Sequence, residues 1–169
     1  MKRQPSGRIR RTSSDETELV LTRDFAADAD VVWAAITESD RLARWIGTVT
    51  GDPASGRVFL KMTAEEAASD EPVDIEECDP PRSLAVTTHT GTATWRLRLT
   101  LTPIDGGTRL TFTQPGIDPV EAESVGPGWE YYLDRLVTAE SGGDVGAIDF
   151  ERDYYPAMAD HYRRELGES

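Results

Sequence analysis

Thr92-Ala93-Thr94-Trp95-Arg96-Leu97-Arg98-Leu99-Thr100-Leu101-Thr102 alternates at period two. Ala93, Trp95, Leu97, Leu99 and Leu101 fall on one face, and Thr94, Arg96, Arg98, Thr100 and Thr102 on the other. Successive side chains of a strand point to opposite sides, so this stretch predicts a strand with one covered and one solvated face, the habit of antiparallel sheets. Downstream, Asp105-Gly106-Gly107 predicts a hairpin turn, and Leu110 and Phe112 continue the covered face on the next strand. Upstream, Val58, Leu60 and Met62 alternate with Arg57, Phe59 and Lys61, and Val73 and Ile75 with Asp74 and Glu76. Asp79-Pro80-Pro81 makes a turn before Leu84 and Val86. Earlier still, Glu18–Phe25 puts Leu19, Leu21 and Phe25 on one face, with Arg23 unexpectedly at the same parity.

A sheet of this size cannot cover its apolar face alone. Helical spacing supplies the cover. After Pro127, expected at the first helical position where its missing N–H costs nothing, Trp129, Tyr132, Leu133, Leu136, Val137 and Glu140 follow the 3, 4, 7 pattern of one face until Ser141-Gly142-Gly143. Two short helices are expected after the first strand. One is capped by Asp28 and carries Val32, Trp33 and Ile36; the next, begun by Thr37 or Ser39, carries Leu42, Trp45 and Ile46 and ends at Gly47. Asp153–Leu166 predicts a terminal helix with Tyr155, Met158, Ala159, Tyr162 and Leu166 on one face. The fold class is α+β: a curved antiparallel sheet of about seven strands wrapped around a long C-terminal helix. Residues 1–16 are expected to be a loose basic tail, 17–140 one domain, and 141–169 a linker with a helical extension.

The 169 residues suit one such domain and permit a sizeable core. Charge is the skewed quantity, with 31 acids against 18 bases and a net charge of −13. The first 11 residues hold five of the bases and no acid, so the remainder carries 13 bases against 31 acids. Such a body repels polyanions, which disfavours nucleic acid and anionic membranes as partners. The absence of a long apolar run or an apolar leader predicts a cytoplasmic protein. The single Cys78 excludes an internal disulfide framework and a cysteine-based zinc site.

The run Phe25-Ala26-Ala27-Asp28-Ala29-Asp30-Val31-Val32-Trp33-Ala34-Ala35-Ile36-Thr37, followed by Leu42-Ala43-Arg44-Trp45, resembles the opening of the SRPBCC (START-like, helix-grip) superfamily. More narrowly, it resembles the branch related to the C-terminal domain of the activator of heat-shock protein 90 ATPase. Gly128-Trp129-Glu130-Tyr131-Tyr132-Leu133-Asp134-Arg135-Leu136 is similar to the start of that branch's long helix. The resemblance implies an apolar tunnel between sheet and helix. It does not imply one activity, since members include ligand carriers, aromatic polyketide cyclases, lipid transporters and chaperone activators.

The expected function is therefore non-catalytic binding of a small hydrophobic or aromatic ligand. A polyketide cyclase or dehydratase-like enzyme and a chaperone-ATPase-interacting protein are the alternatives. The candidate ligand-binding residues are Arg23, Trp45, Met62, Thr88, Trp95, Phe112, Trp129, Tyr132 and Leu136. Arg23 would meet a carboxylate or phenolate, or form an ion pair with Glu130, Glu140 or Asp134. His89 lies at odd parity from Leu84 and Val86, so it is expected to point outward. No catalytic set, cofactor or metal site is expected. The two histidines, His89 and His161, come from distant elements, and the pairs Glu65-Glu66, Glu76-Glu77 and Glu121/Glu123 lie in polar segments. The assembly expected is a monomer or homodimer.

Overall fold

The computed structural model describes residues 4–12, 16–62, 69–90 and 93–166. Thr92 and Glu65-Glu66 lie outside them. Eight strands form one antiparallel sheet in the order β1-β2-β8-β7-β6-β5-β4-β3. They are β1 (Arg8–Arg11), β2 (Thr17–Phe25), β3 (Thr48–Thr50), β4 (Arg57–Lys61), β5 (Glu71–Asp79), β6 (Ser83–Thr90), β7 (Ala93–Ile104) and β8 (Gly107–Pro115). Helices α1 (Ala29–Thr37) and α2 (Ser39–Leu42) follow β2, the long helix α3 (Ala122–Glu140) follows β8, and α4 (Phe150–Asp153) and α5 (Ala159–Glu165) end the chain. These are the elements of the helix-grip fold, with one strand more than expected. No helix among the described residues is long and apolar enough to cross a membrane. The chain divides into two compact units, residues 23–112 and residues 1–22 with 113–169.

In the first unit, β4 to β7 form an antiparallel meander with Val58 opposite Val73, Val73 opposite Thr88, and Thr88 opposite Trp95. Between Ile75 and Glu77 the register shifts, as a β-bulge does. Gly106, at φ 80°, makes the expected turn into β8. The second short helix is shorter than expected. Glu38 rather than Thr37 or Ser39 stands at its N-cap, and Trp45 and Ile46 lie in the turn beyond it, both buried.

In the second unit the loose-tail expectation fails over the described residues 4–12. Arg8–Arg11 pairs with Thr17–Val20 as an edge strand, and Ile9 is buried. Four residues with three arginines carry no hydrophobic period, so the pairing owes more to what holds either end of the segment. Ser6 donates from its N–H and its hydroxyl to Glu130, at 2.8 and 2.7 Å. The Tyr162 hydroxyl donates to the same carboxylate at 2.7 Å. His161 Nε2 lies 2.7 Å from the Gly7 carbonyl, which can only accept, so this nitrogen carries the proton.

Helix α3 begins five residues before Pro127. A proline there removes only the bond to the Glu123 carbonyl, and the turn 118–122 is already closed by Ala122 N–H to Asp118 O. Its buried residues include Trp129, Glu130, Tyr132, Leu133 and Leu136, while Val137 and Glu140 are only half-buried. The expected terminal helix is two helices. Pro156 lacks the N–H that a continuous helix needs and disfavours helical backbone at Tyr155. The chain consequently turns between α4 and α5, and Tyr154 rather than Tyr155 is fully buried, its hydroxyl donating to Asp134 at 2.8 Å.

Gly126 lets α5 approach α3. A Cβ there would lie 2.6 Å from three ring carbons of Tyr162, which is fully buried. At Gly128, two residues on, a Cβ would meet nothing. The two glycines should therefore respond oppositely to alanine. Gly126→Ala should destabilise by about 1–3 kcal/mol through overpacking, more than the ~1 kcal/mol of helix propensity it gains. Gly128→Ala keeps only the gain and should raise Tm. Thermal melts of the two variants check the sign of each.

Candidate functional site

Within residues 23–112, β4 to β7 carry one predominantly apolar face. Register places Val58, Val73, Thr88 and Trp95 in one row across four strands, and Ile75, Val86 and Leu97 in the next. Leu84 and Leu99 form a further pair. Val58, Val73, Leu97 and Leu101 are buried. Ile75, Leu84, Val86, Thr88, Trp95 and Leu99 are only half-buried. Water thus reaches a contiguous set of large apolar side chains with an indole and a threonine hydroxyl side by side. Each Å² of apolar surface left wet forgoes about 25 cal/mol, so such a patch commonly marks a binding surface.

The opposite face of the same strands is polar. Arg57 holds Asp74 through both carboxylate oxygens, at 2.5 and 3.1 Å, and His89 Nε2 approaches Asp74 Oδ2 at 2.8 Å. The Arg57 hydrogen bond, and after it the one from His89, lowers the Asp74 pKa to about 2. Ser83 and Arg98 both bond Glu77, which lowers that carboxyl too, Ser83 first. His89 therefore points away from the apolar face, as its parity implied. It faces Asp74 with Arg57 already on that carboxylate, an exposed ion-pair network of the kind that adds little stability.

The candidate ligand-binding residues are distributed as follows. Thr88 and Trp95 form a direct cross-strand pair at the patch. Met62, just past β4, is half-buried. Trp45 is buried, with Nε1–H donating to the Ala35 carbonyl at 2.9 Å. Phe112 is 2% exposed on β8. Arg23 is half-buried on β2, at the parity of Leu19, Leu21 and Phe25, and two strands separate it from β6 in the sheet order. Trp129, Tyr132 and Leu136 share the buried stripe of α3, with the Trp129 and Tyr132 rings 6.1 Å apart.

Two polar residues escaped the sequence reading. Glu130, assigned only as a possible partner of Arg23, is fully buried and gathers Ser6, Gly7 and Tyr162. Its signal was position, since Gly126 four residues before it and Leu133 three after it put it on the buried side of the helix. Gln114 is 2% exposed, and its Oε1 accepts from Trp129 Nε1 at 2.9 Å. Period two from Leu110 and Phe112 would have placed it inward. Among the described residues no group of three or more His, Cys, Asp and Glu is arranged to hold a metal ion.

No curated protein matches the sequence. Solved structures of similar fold include CalU16 from Micromonospora echinospora, 23% identical, with 98% of each chain covered and a TM-score of 0.70. A conserved protein of unknown function, EF2215 from Enterococcus faecalis, is 18% identical over 95% of this chain and 90% of its own, at TM-score 0.68. DynU16, a protein in the dynemicin biosynthetic locus, is 21% identical over 75% of this chain and 48% of its own, at TM-score 0.58. The family profile described as activator of Hsp90 ATPase homolog 1-like protein matches residues 26–139, two thirds of the sequence. With that match and the helix-grip elements in place, the chain belongs to the activator of Hsp90 ATPase homolog 1-like family.

Proposed function

We propose that this protein binds a small hydrophobic or aromatic molecule on the apolar face around Trp95 and Thr88, without transforming it. The observation that carries the reading is the half-burial of Ile75, Leu84, Val86, Thr88, Trp95 and Leu99 on one face of one meander. A flat apolar ligand would release the water from these side chains, and the Trp95 ring offers it a stacking surface. The acidic body favours a neutral or cationic ligand over an anion.

A bulky residue at the centre of the patch should compete with the ligand. Thr88→Trp is expected to weaken binding of 2-acetylnaphthalene, followed by tryptophan fluorescence, by about tenfold or more, a loss near 1.4 kcal/mol. Thr87→Trp, on the polar face between the same strands, is expected to leave the affinity unchanged. Equal affinities for both variants and wild type, with circular dichroism showing intact folds, would contradict the reading.

The place of DynU16 in a biosynthetic locus favours a second reading, a cyclase or dehydratase-like enzyme acting on such a molecule. Arg23 or Tyr132 would then polarise a carbonyl, and Arg23→Ala or Tyr132→Phe should abolish turnover while leaving the fold intact. The family's name supports a third, interaction with a chaperone ATPase. Its test is the ATPase rate of the chaperone from the same source, which must rise on adding this protein.

A further inference from the structure

We infer that the molecule held at Trp95 and Thr88 is an apolar amine, whose ammonium group pairs with the carboxylate of Glu71. The inference rests on the proposal that the chain binds a small apolar molecule on this face, and it adds the charge that molecule carries.

Glu71 opens β5 and lies opposite Leu60 of β4. It stands two residues from Val73 and four from Ile75, so it shares their face, the one that carries Thr88 and Trp95. Val73 is opposite Thr88, and Thr88 opposite Trp95. Ordinary strand spacing and rise therefore put the Glu71 and Trp95 Cα atoms about 12 Å apart. A bicyclic aromatic ring with a short arm spans that interval.

The remaining register-paired positions of this face on β4 to β7 hold apolar, threonine or cysteine side chains. The bases of the same strands, Arg57, Lys61, Arg96 and Arg98, lie at the opposite parity. Glu71 is half-buried and accepts one side-chain hydrogen bond, from the Ser69 hydroxyl at 2.8 Å. No Lys, Arg or His among the described residues forms an ion pair with it.

A neutral hydroxyl leaves the charge of the carboxylate uncompensated. An apolar ligand laid along this face would take more water from Glu71, a loss that only a cation at its end offsets. An ammonium brings three donors to that place, while a ligand carboxylate or phosphate would meet like charge. The net charge of −13 acts in the same direction.

The test uses two probes of similar shape with the full chain. 1-(2-Naphthyl)ethylamine carries an ammonium where 2-acetylnaphthalene carries its carbonyl oxygen. Glu71→Gln should weaken the amine by about three- to fivefold, the upper range of a partly exposed ion pair, and leave the ketone unchanged. Asp105→Asn, in the exposed turn between β7 and β8, removes the same charge from the chain and should leave both affinities unchanged. In wild type, the Glu71 carboxyl ¹³C resonance should shift with the amine and stay in place with the ketone, a readout independent of how the variants fold. An amine affinity unaltered by Glu71→Gln, or equal losses in Glu71→Gln and Asp105→Asn, would overturn the inference and leave the binding proposal standing. Binding of neither probe would overturn both.

Discussion

Glu130→Ala is expected to melt roughly 10 °C below wild type, from a loss of about 3–5 kcal/mol at 2–4 °C per kcal/mol for a chain of this size. The argument is one of satisfaction. Glu130 is fully buried and accepts from Ser6 N–H, the Ser6 hydroxyl and the Tyr162 hydroxyl at 2.7–2.8 Å, with Gly7 N–H at 3.4 Å. Alanine strands several of these donors away from water, and each such orphan costs about 1–3 kcal/mol. The contacts reach 124 residues back to Ser6 and 32 forward to Tyr162, so their loss loosens the N-terminal segment and α5 together. Glu130→Gln should cost less, since one oxygen survives, although its NH₂ opposes donors. Ser6→Ala, which removes a single hydroxyl, should cost about 1 kcal/mol. A chemical-denaturation series over the three variants checks the order. A Glu130→Ala protein as stable as wild type would mean that the N-terminal segment is not held as described.

The second large effect is at Trp129. Trp129→Ala should cost about 3–5 kcal/mol, the range for large-to-small changes at packed aromatic positions. The ring is 8% exposed, lies 6.1 Å from the Tyr132 ring, and gives its N–H to buried Gln114. Trp129→Phe separates the two contributions. It keeps most of the apolar contact but leaves Gln114 Oε1 without its donor, so about 1–2 kcal/mol should be lost. Against a total stability of roughly 5–15 kcal/mol, the alanine variant forfeits a large fraction and should show it in the denaturation midpoint.

These two residues show what could be read from the sequence and what could not. Trp129 belongs to an uninterrupted helical stripe, and β7 to a clean alternation over eleven residues; such periodicity is written locally and survives folding unchanged. The same holds for the Gly106 turn and for the outward parity of His89. Residues Arg8–Arg11 carry no such pattern. Their strand is held by β2 and by the anchorage of neighbouring Ser6 and Gly7 on Glu130, partners more than 120 residues away for the latter, and no local rule reveals them. Glu130 and Gln114 were obscured for a related reason. A polar residue at an inward position reads as solvated until its partners are known. Pro127, expected at the first helical position, lies inside α3 at the loss of one hydrogen bond, and Pro156 separates two helices where a single terminal helix was expected. For the site, parity gave the face, but only tertiary burial distinguishes the half-covered Trp95, Val86 and Leu99 from the covered Leu97 and Leu101.

The binding claim is tested most directly by an NMR titration of the full chain with 2-acetylnaphthalene, following side-chain methyls and tryptophan indoles. The expected result is saturable shifts of the Trp95 indole and of the Ile75, Val86 and Leu99 methyls, with the side chains of His89 and Arg96 on the polar face unmoved. Saturable shifts confined to that polar face, or no saturable change at any of these groups, would contradict it.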